Sequence, residues 1–113
     1  VKFSIQKNVS HTCLTVNTEN LDAVIAPELK SELVAIVGSG EKNILIDLSN
    51  CSICDSSGLS ALLLGNRICM ESNGKLVLCG LSVQIRNSLD MLGFAEILTV
   101  VETRETATSL FKC

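Results

Sequence analysis

The chain has 113 residues, enough for one domain that closes its own core without a metal or disulfide staple. It is 47% hydrophobic but only 3% aromatic, which excludes a disordered chain and leaves the core to Leu, Ile, Val and Ala. A net charge of −3 with no Lys/Arg run argues against nucleic acid, and no apolar run approaches the ~18 residues of a membrane span.

In "FSIQKNVSHTCLTVN" apolar Phe3, Ile5, Leu14 and Val16 alternate with polar residues around a polar break. That pattern predicts two strands joined by a turn, with His11 a surface turn residue. From Ala26 the period changes to that of a helix. "APELKSELVAIVGSG" has Pro27 where a first turn tolerates it, Glu28 near the positive end, and Leu29, Leu33, Ile36 and Val37 on one face. "NILIDLS" is a short unbroken apolar run and predicts a buried central strand, as does "KLVLCGL". Between them a helix runs from about Gly58 to Glu71. "SVQIRNSLDMLG" predicts another helix capped by Ser82. "AEILTVVE" reads as a last strand and "TRETATSLF" as a closing helix.

The order ββαβαβαβα predicts an α/β fold over residues 1–113 as a single domain. Its right-handed crossovers imply a four-to-five-stranded, mostly parallel sheet with helices packed on it. Leu45, Ile46 and Val77 should be buried in it. No signal-peptide pattern opens the sequence, so the expected localisation is cytoplasmic. Of six cysteines, Cys13, Cys69 and Cys79 lie in apolar periodic stretches, where free thiols behave as small hydrophobes.

The stretch "NCSICDSSGLSALLLG" carries the chemistry, and three readings of it compete. Cys51 and Cys54 form a C-x-x-C after a strand, but a redox thiol belongs at the helix start, which Asp55, Ser56 and Ser57 occupy instead. A zinc site would need a second ligand pair that the chain lacks. The second reading is a helix cap by Asp or Ser. It leaves Gly58 unexplained, since a first-turn glycine costs on the order of 1 kcal/mol relative to Ala. The third reading uses the unpaired N–H groups of the helix start, which favour an added phosphate on a serine.

"LIDLSNCSICDSSGLSALL" followed by "NGKLVLCGLSVQIRNSLDMLGFAEIL" resembles the STAS domain family, and within it the single-domain anti-sigma factor antagonists. The resemblance rests on the D-S-[ST]-G-L signature after a central strand, the Gly-rich turn before the next strand, and the hydrophobic-Gly-hydrophobic step after the third helix. It implies the STAS fold and a partner switch rather than an enzyme. The unphosphorylated form would bind an anti-sigma factor that is also an ATP-dependent serine kinase, freeing a sigma factor. Phosphorylation of the first signature serine, Ser56, would end that binding, and a metal-dependent serine phosphatase would restore it. No cofactor or metal is implied. The partner surface would comprise Asp22, Asp55, Ser56, Ser57 and Gly58, with Gly58 leaving room for the kinase. Upstream, Leu21, Asp22, Ala26, Pro27 and Leu29 match the family's G-E-L-D-x-x-[ST]-A-P-x-L, whereas Glu19, Asn20 and Ile25 depart from it. Leu64 stands where many members have glycine. Two alternatives are a non-switching STAS interaction subunit, for example of a lipid-transport ATPase complex, and a nucleotide-responsive sensor, for which the chain offers no phosphate loop.

Overall fold

In the computed structural model, which describes residues 1–111, the strands are β1 (Phe3–Lys7), β2 (Thr12–Val16), β3 (Asn20–Leu21), β4 (Asn43–Asp47), β5 (Ile53–Cys54), β6 (Lys75–Cys79) and β7 (Thr99–Val101). The helices are α1 (Ala26–Gly38), α2 (Ser56–Glu71), α3 (Val83–Met91) and α4 (Arg104–Phe111). Five strands form one sheet in the order β1-β2-β4-β6-β7, antiparallel only between β1 and β2. The expected α/β architecture and its mostly parallel sheet are therefore observed.

The central strands read as unbroken apolar runs because both of their faces are covered. Ile44, Ile46, Leu76 and Leu78 point to a large core shared with Leu29 and Leu33 of α1, Leu59 and Leu62 of α2, and Ile85 and Leu89 of α3. Leu45 and Val77 point the other way, to a smaller cluster closed by Ala107 and Phe111 of α4. Leu45, Ile46 and Val77 are all buried, as expected. Alternate side chains of one strand thus serve two different layers.

Three local features differ from the sequence expectation. His11 is buried, not a surface turn residue, because the end of α4 returns over it. Its ring stacks on Phe111 with centroids 4.6 Å apart and planes inclined by 15°. Its nitrogens meet Ser10 Oγ at 2.9 Å and Asn8 Nδ2 at 3.3 Å, and desolvation lowers its pKa.

The second difference lies at "AEILTVVE", where only Thr99–Val101 is a strand. Phe94–Glu96 form a 3₁₀ turn instead. The N–H groups of Ile97 and Leu98 both donate to the Phe94 carbonyl, so neither can join a strand ladder before Thr99. Finally, β3 and β5 pair as a separate two-stranded sheet of two residues each, too short to leave a periodic signal.

Candidate functional site

The short β3–β5 pair brings two distant loops together at one end of the main sheet. Leu21 lies opposite Cys54 in register, and the Asp55 N–H donates to the Leu21 carbonyl at 3.1 Å. Just upstream the Ser52 N–H donates to the Glu19 carbonyl at 2.7 Å. The loop that opens α1 is thereby held beside the first turn of α2.

Asp55 is the N-cap of α2, with extended backbone (φ −92°, ψ −173°). Its Oδ1 accepts the Gly58 N–H at 3.1 Å, and its carbonyl accepts the Leu59 N–H at 2.9 Å. The cap reading of the serine stretch is therefore correct as far as it goes. It satisfies the third-position donor and leaves the N–H groups of Ser56 and Ser57 outside the helical ladder. Ser56 is exposed and Ser57 half-buried.

Gly58 is where the expectation needs correction. It is buried, and a Cβ there would collide with the Leu21 carbonyl oxygen and come within 2.7 Å of Cys54 Sγ. The space that glycine leaves is filled by this chain's own backbone, so Gly58 does not face a partner. It lets α2 start hard against β3.

Asp22 is half-buried at the head of α1. Its Oδ1 accepts the N–H groups of Val24 at 3.0 Å and Ile25 at 3.3 Å, and its carbonyl accepts the Ala26 N–H at 2.8 Å. This Asx turn supplies the capping that Ile25, the residue before the helix, cannot provide through its side chain. Asp22 thus shapes the loop next to Ser56.

Between the two helix starts lies a cleft of about 290 Å³, lined by Ala23, Pro27, Lys30, Ser56, Ser57 and Ser60 among others. Lys30 and Ser60 were not legible as site residues, since nothing in a helical period says which neighbour a face will meet. Ser60 follows Ser56 by four residues and so shares its side of α2.

The C-x-x-C pair is a buried pair of thiols. Cys51 Sγ lies 3.4 Å from the Ile53 carbonyl and Cys54 Sγ 3.6 Å from the Asp55 carbonyl. Burial pushes the Cys51 thiol up, and the Cys54 thiol up to about 12. Redox chemistry needs the opposite shift. The Ser82 hydroxyl caps α3 by accepting the Ile85 N–H at 3.1 Å, as expected, and also donates to the Ser52 carbonyl at 2.7 Å, tying α3 to the serine loop.

The family model for the STAS domain matches residues 2–107. The chain belongs to the STAS domain family. It is 36% identical over 87 residues to BtrV of Bordetella bronchiseptica, described as a candidate anti-sigma factor antagonist, covering 77% of this chain and 75% of that protein. An anti-sigma-B factor antagonist of Staphylococcus epidermidis is 33% identical over 86 residues, covering 75% of this chain and 79% of the relative. Among solved structures, the Bacillus cell fate determinant SpoIIAA in its phosphorylated form shares the fold, with TM-score 0.74 at 18% identity over 97% of this chain and 99% of its own. No helix among the described residues is long and apolar enough to cross a membrane.

Proposed function

We propose that this STAS domain is an anti-sigma factor antagonist that works by partner switching, with Ser56 as its phosphorylation site. The observation that carries the reading is the placing of Ser56. It is exposed at the first position of α2, its neighbour Asp55 caps the helix through the Gly58 N–H and leaves the Ser56 N–H free of the ladder, and the hydroxyl borders an open cleft. A phosphoryl group there lies at the favourable end of the helix dipole, so the fold tolerates it. What it changes is the surface. A charge of about −1.5 to −2 enters a patch that a partner would otherwise desolvate.

On this reading the partners are an anti-sigma factor with serine kinase activity, which binds the unmodified form, and a metal-dependent serine phosphatase, in the cytoplasm. The chain is substrate and ligand, not catalyst, and takes no nucleic acid. Ser56, Ser57 and the exposed side of Asp55 form the contact, Asp22 holds the adjoining loop, and Gly58 acts from inside by seating α2. The two relatives support the antagonist role by their names, and SpoIIAA supports the modification by its phosphorylated form.

The test is to incubate the purified chain with a histidine-kinase-like anti-sigma factor of its source organism and ATP, then map the modified residue by mass spectrometry. Phosphate on Ser56, absent from Ser56→Ala, is the expected result. Phosphate on Ser57 alone moves the site. No phosphate, with a stable complex to a transporter ATPase instead, replaces the switch with a docking module.

A further inference from the structure

We propose that the groove between α1 and α2 is a docking surface for an acidic, amphipathic helix of the partner, and that phosphate on Ser56 works by cancelling the positive charge at its Ser56 end and repelling the partner's carboxylates. The proposal rests on the partner-switch reading and extends it to the chemistry of the partner.

Two adjoining clefts make the groove. The one beside Ser56 continues into a second of about 380 Å³ lined by Lys30, Ser60, Leu63, Leu64 and Arg67, with Lys30 and Ser60 common to both. On α2 the residues Ser56, Ser60, Leu63 and Arg67 follow at helical spacing and form one stripe. From Ser56 to Arg67 the stripe is roughly 17 Å long at 1.5 Å per residue, about three turns of a docked helix. The half-buried Leu63 and Leu64 give an apolar floor, with Pro27 at the α1 side.

Charge names the occupant. The chain has 12 acidic and 9 basic residues, yet neither cleft is lined by a single Asp or Glu, while Lys30 and Arg67 stand over the groove. Neither cation makes an ion pair or side-chain hydrogen bond among the described residues, unlike Lys2, Lys7 and Arg104. Helix α1 sorts its charges by side: Glu28 and Glu32 line a different cleft together with Lys2. A groove carrying two free cations and leucines, on a chain of opposite net charge, complements carboxylates flanking an apolar stripe.

The same arithmetic gives the switch a mechanism. Two positive charges line the groove, and a phosphoserine brings about two negative ones to its end. The phosphate therefore cancels the positive charge of the Ser56 end, where Lys30 lines the same cleft, and faces the partner's carboxylates at short range. Arg67, about 17 Å away, is screened from it.

The probe is a synthetic 14-residue helix with leucines along one side and glutamates flanking them, titrated into the isotopically labelled chain by NMR. A peptide with lysines in place of the glutamates is the control. The Glu peptide should shift the amides of Ser60, Leu64 and Arg67, and the Lys peptide should not. The double variant Lys30→Glu, Arg67→Glu should weaken that binding at least ~tenfold, as should incorporation of phosphoserine at position 56. Equal response to both peptides, or shifts confined to another surface, overturns the proposal. The peptide arm needs no kinase, so it stands even if Ser56 proves not to be a phosphorylation site. Conversely, a kinase that modifies Ser56 and binds the charge-reversed variant undiminished overturns the groove alone.

Discussion

The Leu21 carbonyl oxygen accepts the Asp55 N–H at 3.1 Å and at the same time closes the space above Gly58. One backbone atom therefore joins the α1 loop to the cap of α2, and the signature glycine exists to let it approach. Gly58→Ala gains helix propensity of about 1 kcal/mol but drives a methyl into a backbone that cannot retreat without parting β3 from β5. The clash prevails, and the variant should lose about 1–3 kcal/mol of stability in urea unfolding. An unchanged or raised midpoint contradicts this account of Gly58.

Asp47 and Arg104 hold α4 to the sheet. The buried Asp47 carboxylate accepts the Arg104 Nε–H at 2.6 Å and the Ser49 N–H at 2.9 Å, and Arg104 also donates to Thr15 Oγ1 at 2.9 Å. Burial pushes the carboxyl up, but the bonds from Ser49 and Arg104 outweigh it and hold its pKa below the usual value. A carboxyl with a lowered folded pKa contributes stability above its unfolded value, lost as pH falls through the folded one. Arg104→Met leaves that carboxylate unpaired. It should cost about 1–3 kcal/mol at neutral pH, less than for a fully buried pair because Arg104 is half-exposed. Its deficit should shrink as pH falls through the lowered folded pKa of Asp47, where the carboxylate is lost in the parent as well.

His11 titrates in a different window. Its pKa is lowered by burial from an ordinary value near 6.5, so the unfolded chain takes up a proton first. Stability is complete above that value and declines as pH falls toward the folded pKa. His11→Phe keeps a ring against Phe111 and removes the titration. Chemical denaturation at pH 8 and pH 5.5 should show a smaller pH dependence in the variant than in the parent. Equal dependence in both contradicts a buried neutral His11.

Much of this was legible in the sequence. The run Ile44–Leu48 and the caps Asp55 and Ser82 announce themselves through local chemistry, and the signature serines announce the site. What stayed hidden is tertiary. His11 is covered by Phe111, one hundred residues later in the chain. The β3–β5 pair is too short for any period. Lys30 reads as an ordinary helix cation until α2 is packed beside it. Gly58 was visible as an anomaly, but only the position of Leu21 shows which way its open side faces.

Cys51 and Cys54 should be unreactive in the folded protein, since burial raises both thiols and Cys54 reaches about 12. Alkylation at pH 8 followed by peptide mapping should label neither until denaturant is added. Replacing both with Ala should leave partner binding within about twofold of the parent. Rapid labelling of either, or loss of binding only under oxidation, brings the redox reading back.

The central claim is that charge on Ser56 ends partner binding. Its most direct test is the affinity of the cognate anti-sigma factor for the chain carrying phosphoserine at position 56, measured by calorimetry beside the unmodified chain and Ser56→Ala. Like charges brought together across a contact surface cost several kcal/mol, on the order of 2–5, so the phosphorylated form should bind at least ~30-fold more weakly while Ser56→Ala binds like the parent. Equal affinity of all three forms contradicts the switch.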